Sequence, residues 1–345
     1  MQLQAKRSEI YADFLFQSPH FFCCGAEGIR CERSIANERF LCYNGFMRTL
    51  SLTIDASLHD CTVKDVLTKR LFLSDSLCSK LKRRPGSVLL NEIPVYVTKH
   101  VQVNDVLTVQ VGDVEKDPRL VPKSLPLSIL YEDEDLIILN KPSGLSVHPA
   151  RDPNEITLEN ALAAYLCGTD NPHPVSRLDR GTTGIMTIAK SGWAHSWMKT
   201  LQHTGGLKKT YLAICTGTPF PDHGQIATPI GCCEGSTYQR MIRPDGSPAL
   251  SEYQVLQSKN GLSLVRLIPH TGRTHQLRVH MTSIGHPLLG DWLYGSRDDR
   301  IDRPALHAFQ LSFRHPLTGK ELSFTCPLPP DMTAIFPYRE EEPID

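Results

Sequence analysis

Several things are scarce in this sequence, and each scarcity removes a class of function. No apolar run approaches the ~20 residues that a membrane-spanning helix needs. No GxGxxG and no P-loop lysine motif occurs, so nothing asks for a nucleotide cofactor. Net charge is missing too, since 37 Lys and Arg balance 37 Asp and Glu. Overall charge therefore favours neither nucleic acid nor a membrane surface, and any basic patch has to be local. Paired cysteine spacing is also lacking. The 11 cysteines are an odd number without a CxxC arrangement, and the opening MQLQAKRSEIYADF has no basic-then-apolar signal layout. Reduced thiols in a cytoplasm are expected, not a disulfide framework. Cys23, Cys24, Cys31 and Cys42, with His20 nearby, match no zinc spacing, so no metal is expected.

What is present reads as a globular protein of at least two domains: 345 residues, 40% hydrophobic and 21% charged. Residues 1–46 have apolar clusters with neither helical nor strand period. Met47 is the expected natural start, with 1–46 a poorly ordered or misread extension. From 47 to 113 a small α+β module is expected. MRTLSLTIDA alternates as a strand, Thr62 caps a helix over VKDVLTKRLF, and Ser74 or Ser76 starts a second helix. SVLLN, VYVTKHV and NDVLTVQVGD read as strands. Lys69, Arg70, Lys80, Lys82, Arg83 and Arg84 gather positive charge on the two helices, which suits phosphate contacts; the bland alternative is a solvated helix face.

Residues 114–126 form a Pro- and Lys-bearing linker, 127–330 a larger domain, and 331–345 a tail. In the larger domain strands outnumber helices and hairpins recur. The expected fold class is therefore α+β, a mainly antiparallel sheet with flanking helices. A hairpin is expected to turn at Asp245-Gly246, another at Thr318-Gly319, and Thr271 or Thr274 to cap a helix containing Arg278.

The stretch HPVSRLDRGTTGIMTIAK, residues 173–190, carries the sharpest chemical signal. Asp179 lies between Arg177 and Arg180, before a tight Gly-Thr-Thr-Gly loop and a buried apolar strand. A surface ion pair is one reading and a nucleophilic carboxylate the other. KKTYLA places Tyr211 among apolar neighbours, and HTGRTHQLRVHMTSIGHPLLGDWLYG places Arg273 and Arg278 near a helix start. His270, His275 and His280 stand five apart, which does not share one helical face, so they read as structural or RNA-facing.

RLDRGTTG, KKTYLA and HTGRTHQLRVHMTSIGHPLLGDWLYG, preceded by LNKPSGLSVHP, are similar to the signature blocks of the RluA-type pseudouridine synthases. The residues around KLKRRPGSVLLNEIPV resemble the small RNA-binding domain shared by a ribosomal small-subunit protein and several RNA-modifying enzymes. Two departures concern the first block: Ser176 stands where the family has histidine, and Thr183 where it has serine. A third concerns the module, where Asp75 replaces an expected arginine after Leu73-Ser74.

The resemblance implies isomerisation of uridine to pseudouridine in RNA, which is redox-neutral and needs neither cofactor nor metal. It implies that Asp179 acts at the sugar, either attacking C1′ or first removing a ribose proton. Tyr211 would stack on the uracil and help remove the C5 proton, and Arg278 would pair with Asp179. Arg177, Arg180 and Arg273 would hold phosphates beside a flipped-out uridine. Ribosomal RNA is the expected partner and transfer RNA the alternative substrate, with no membrane and no oligomer required. A catalytically silent RNA-binding or ribosome-assembly protein and an N-glycoside hydrolase are the competing functions.

Overall fold

The computed structural model describes residues 48–112, 120–148, 155–166, 171–315 and 318–338. The extension 1–46, its cysteines, and part of the linker and of the tail lie outside these residues. Among the described residues no helix is long and apolar enough to cross a membrane.

The first layer begins with β1 (Arg48–Thr53), followed by α1 (Val63–Lys69) and α2 (Asp75–Lys82). It closes with β2 (Val88–Leu90), β3 (Ile93–Pro94) and β4 (Val106–Val111), giving an antiparallel sheet in the order β1-β4-β2-β3. Thr62 caps α1 in a capping box with Asp65, and Ser74 caps α2. The expected strand VYVTKHV is instead a loop. Its Val97 and Lys99 carbonyls accept the N–H groups of Lys64 and Val63, which a helix start leaves without internal partners. Val97 and Val101 still bury their side chains, which accounts for the strand-like pattern.

The larger sheet follows in chain order. It starts with β5 (Ser128–Glu132), β6 (Leu136–Lys141), α3 (Leu158–Tyr165), β7 (His173–Pro174) and β8 (Thr183–Ala189). Next are α4 (Gly192–His203), β9 (Leu207–Thr216), β10 (His223–Ile226), β11 (Ile230–Cys232) and β12 (Arg240–Ile242). The chain continues with β13 (Ser251–Lys259), β14 (Leu262–Pro269), α5 (Gln276–Ser283), β15 (Leu306–Arg314), β16 (Glu321–Thr325) and α6 (Pro330–Thr333). The main path is β10-β13-β14-β9-β15-β8-β6-β5, with β16 beside β15 and β7 beside β8. Only β15 and β8 pair in parallel among the described strands, so the α+β, mainly antiparallel expectation holds.

The Asp245-Gly246 turn is present, but its flanks do not pair as one hairpin. β12 pairs with β11, while β13 joins β10 and β14. Ser247 bridges to Ile230, and Arg243 clasps Asp245 through two hydrogen bonds, which bends the chain away from β13.

Burial decides the layering. All seven residues of β8 are buried, the mark of a central strand covered on both faces. On one face α4 presents Trp193 and Trp197, and these share an apolar cluster with Val66, Leu67 and Leu81 of the first layer. The Trp193 indole N–H donates to the Leu71 carbonyl at 2.7 Å. Arg48 reaches across to Asp135 with bonds of 2.6 and 2.7 Å and lies 5.6 Å from the Trp193 ring centre. The opposite face carries a second cluster, including Met186, Tyr211, Leu277 and Leu306, on which the site is built.

Candidate active site

Strand register brings the distant segments level. Ala308 of β15 is paired with Gly184 on one side and Tyr211 on the other. The end of the RLDRGTTG loop and the tyrosine therefore stand two strands apart, about 10 Å at the usual strand spacing. Gly184 is required there: its φ is +106°, and a Cβ would lie 2.2 Å from the Ala308 carbonyl oxygen.

Buried cations hold the loop from behind. The Lys141 ammonium donates to the carbonyls of Pro142, Leu145 and Arg180 at 2.8, 2.9 and 3.2 Å. Burial pushes its pKa down to about 8, partly offset by Asp179. Arg303 donates to the Gly181 carbonyl and is itself clamped by both oxygens of Asp331. Beneath the loop, His307 Nε2 faces the Cys326 carbonyl, so Nδ1 is the acceptor for the Thr183 hydroxyl at 2.8 Å. Burial lowers the His307 pKa to about 4.

Asp179 stands at the mouth of this loop. Arg278 Nη1 is 3.3 Å from its Oδ2, and the same guanidinium meets Asp291 through Nε and Nη2 at 2.7 and 2.8 Å. Asp291 is fully buried and Arg278 nearly so. The fork-to-fork contact fixes the guanidinium plane and turns Nη1 toward Asp179. The Tyr294 ring lies under Arg278 at 4.9 Å. Tyr211 is buried in the wall, where burial and then the negative Asp179 hold its phenol well above the usual range.

A cleft of about 1180 Å³ opens over these groups. Seven Lys and Arg residues line it against two carboxylates, Asp179 and Glu252. In a chain of balanced charge this is the local basic surface that RNA would need. Arg177 and Arg273 lie in the cleft, with Arg177 donating to Thr274 and Arg273 to the Pro248 carbonyl. Arg180 does not line it; its Nε donates to Gly144 and its Nη1 lies 3.6 Å from Glu155.

The Arg278 helix departs from the expected capping. Its N-cap is His275, in the left-handed region with φ 55° and no side-chain cap. Thr271 instead accepts the Leu250 N–H and donates to Gln276, while Gln276 Oε1 takes the Arg273 N–H. His280 is buried against Ser251 and the Thr228 carbonyl, a structural placement, and His270 faces Glu252 at 2.9 Å.

Comparison with known proteins decides what this arrangement is. A family model described as RNA pseudouridylate synthase matches residues 135–283. The uncharacterised RNA pseudouridine synthase YjbO of Bacillus subtilis is 36% identical over 277 residues, covering 79% of this chain and 98% of that protein. The chain belongs to the RNA pseudouridine synthases. The synthase is also 32% identical to ribosomal large subunit pseudouridine synthase D of Escherichia coli K12, over 78% of this chain and 82% of that one. Among solved structures, human RNA pseudouridylate synthase domain containing 1 superposes with a TM-score of 0.51 at 27% identity, covering 64% of this chain and 90% of that one.

Two groups of the synthase site were not singled out from sequence, Asp291 and Tyr294, and a third, His275, was expected to be structural or RNA-facing without its left-handed place beside Asp179. The GDWLYG block was the available signal, because a buried aspartate and tyrosine soon after an arginine-bearing helix can reach back to it. A further trio, Asp133, Asp135 and His315, brings ligand-type atoms within 4.8 Å of one another. Both Asp135 oxygens take Arg48, and Asp133 takes the Asp135 and Leu136 N–H groups and the Tyr131 hydroxyl. Those bonds mark a link between the layers, not a metal centre.

Proposed function

We propose that this synthase converts uridine to pseudouridine in large-subunit ribosomal RNA, with Asp179 acting at the ribose, Arg278 pairing with it and Tyr211 against the uracil. The observation that carries the site reading is the guanidinium Nη1 presented to Asp179 by an Arg278 already locked on Asp291. The substrate reading is supported by the relatives named for ribosomal large subunit pseudouridine synthase activity.

In outline, the C1′–N1 bond breaks, the freed uracil turns, C5 joins C1′, and the C5 proton then leaves while N1 takes one up. A flipped-out base occupies the wall at Tyr211 while Arg177 and Arg273 take neighbouring phosphates. Enclosure in the cleft keeps water from the sugar until C5 has attacked.

The helical face of the first layer acts as an auxiliary phosphate-binding surface. Lys80, Lys82 and Arg83 carry no ion pair among the described residues, and Arg84 lies beside them. Lys69 and Arg70 are 2.9 and 3.5 Å from Asp65 and Asp55 and contribute less. The protein is read as a monomer of the cytoplasm, where the unpaired thiol spacing fits a reducing compartment.

The test is release of tritium from C5-labelled large-subunit ribosomal RNA, alongside pseudouridine mapping in a deletion strain. Asp179→Asn is expected to lower release by roughly four orders of magnitude while RNA binding stays near wild type. Free uracil as product would indicate a hydrolase. Loss of pseudouridine from transfer RNA alone on deletion would move the substrate there.

A further inference from the structure

Helix α5 begins in a way that its own sequence does not require. Thr271 and Thr274 are both able to cap, yet the N-cap is His275 in a left-handed conformation that side-chain-bearing residues disfavour. The conformation aims the imidazole into the cleft, where Nε2 lies 3.9 Å from Asp179 Oδ1. Arg278 approaches the other oxygen, Oδ2.

The far side of the imidazole is held as well. Nδ1 is 2.8 Å from the Tyr294 hydroxyl, and the two rings meet edge to face. That hydroxyl oxygen already accepts the Arg240 backbone N–H at 2.8 Å, which leaves its own hydrogen for Nδ1. With Nδ1 an acceptor, a neutral imidazole carries its one hydrogen on Nε2, the atom facing Asp179. The charged groups around the ring are Asp179, Arg278, Asp291 and Arg240. Burial, the largest influence, keeps the imidazole below its ordinary pKa, as do the two arginines, against the two carboxylates.

We propose that His275 is a positioning residue for the reaction: Tyr294 fixes its tautomer so that Nε2–H takes Asp179 Oδ1 and turns the carboxylate toward the ribose. The gap of 3.9 Å closes to a hydrogen bond when RNA fills the cleft. Two fixed donors, one for each carboxylate oxygen, then hold the plane of a group whose orientation decides whether it reaches the sugar. The proposal rests on Asp179 being the reacting carboxylate.

Two conservative variants separate this role from packing. Glutamine places its amide nitrogen where Nε2 stands, and asparagine places its own where Nδ1 stands. Asparagine also tolerates the left-handed backbone better. A residue needed only for the helix start or the Tyr294 contact would rank His275→Asn above His275→Gln. The proposal requires the reverse: in single turnover on C5-tritiated ribosomal RNA transcript, His275→Gln within about tenfold of wild type and His275→Asn at least tenfold slower again, at unchanged RNA affinity. Equal or reversed ranks would overturn it.

Nitrogen NMR on histidine-labelled enzyme reads the tautomer without any reaction. The signal lost in His275→Asn is expected to be the Nε2–H form in wild type and a mixture in Tyr294→Phe. An Nδ1–H form in wild type overturns the proposal whatever the substrate, whereas an inactive wild type with the Nε2–H form overturns only the functional reading.

Discussion

The synthase uses arginine and lysine in two regions under opposite physical terms. At the cleft floor Arg278 is about 5% exposed and bonded to a fully buried Asp291, and behind the loop Lys141 is fully buried against three carbonyls. On the first layer's helices, Lys69 and Asp65 form a pair with side chains 64% and 38% exposed. A desolvated pair is costly to break, because removing one partner strands a buried charge. An exposed pair is screened and contributes roughly 0–1 kcal/mol. The floor is therefore built for geometry and the helical face for accessible charge, although both look alike as basic letters in the sequence.

The largest test of that contrast is Asp291→Ala. Stranding Arg278 is expected to cost about 3–5 kcal/mol in denaturant unfolding, against less than about 1 kcal/mol for Lys69→Ala. Equal losses would erase the distinction. Activity should also fall in Asp291→Ala, since Arg278 loses the plane that faces Asp179.

A second test concerns His307, beneath the loop. Its folded pKa of about 4 lies below its ordinary 6.5, so between those values the unfolded chain binds the proton that the native state refuses. The stability it contributes is complete above pH 6.5 and is lost as pH falls toward 4, on the order of 3 kcal/mol in all. Comparing unfolding against pH for wild type and His307→Gln should show that much less slope in the variant. Parallel curves would mean that His307 protonates without cost.

The smallest effect is expected on the helical face. Lys82→Ala with Arg83→Ala should leave the melting temperature unchanged and flatten the salt dependence of RNA affinity by about 1–2 in the log–log slope. An unchanged slope would reduce this face to a solvated surface.

Local features were legible where the physics is local. Thr62, Ser74, Thr157 and Ser191 cap helices as their neighbours imply, because a cap needs only the next three residues. The same rule failed at Thr271 and Thr274. Thr271 is drawn to the Leu250 N–H and Gln276, and Thr274 accepts Arg177. VYVTKHV alternates like a strand, yet its carbonyls serve α1. For Asp291 the only sequence signal was its place in GDWLYG, and a single aspartate near an arginine is as often a surface pair.

By itself, the sequence determined the α+β class, the order of the chemical segments, and the choice of Asp179, Tyr211 and Arg278 as candidates. The first two follow from periodicity and turn residues, and the choice of the three candidates from the resemblance of their segments to the RluA-type signature blocks. Tertiary structure alone decided which oxygen of Asp179 faces which donor, that Arg180 lies outside the cleft, and that the first layer packs on Trp193 and Trp197. The reason is range. Caps and turns are settled within a few residues, whereas a carboxylate's orientation depends on Arg278, Asp291, His275 and Tyr294, about a hundred residues away, meeting over one face of a folded sheet.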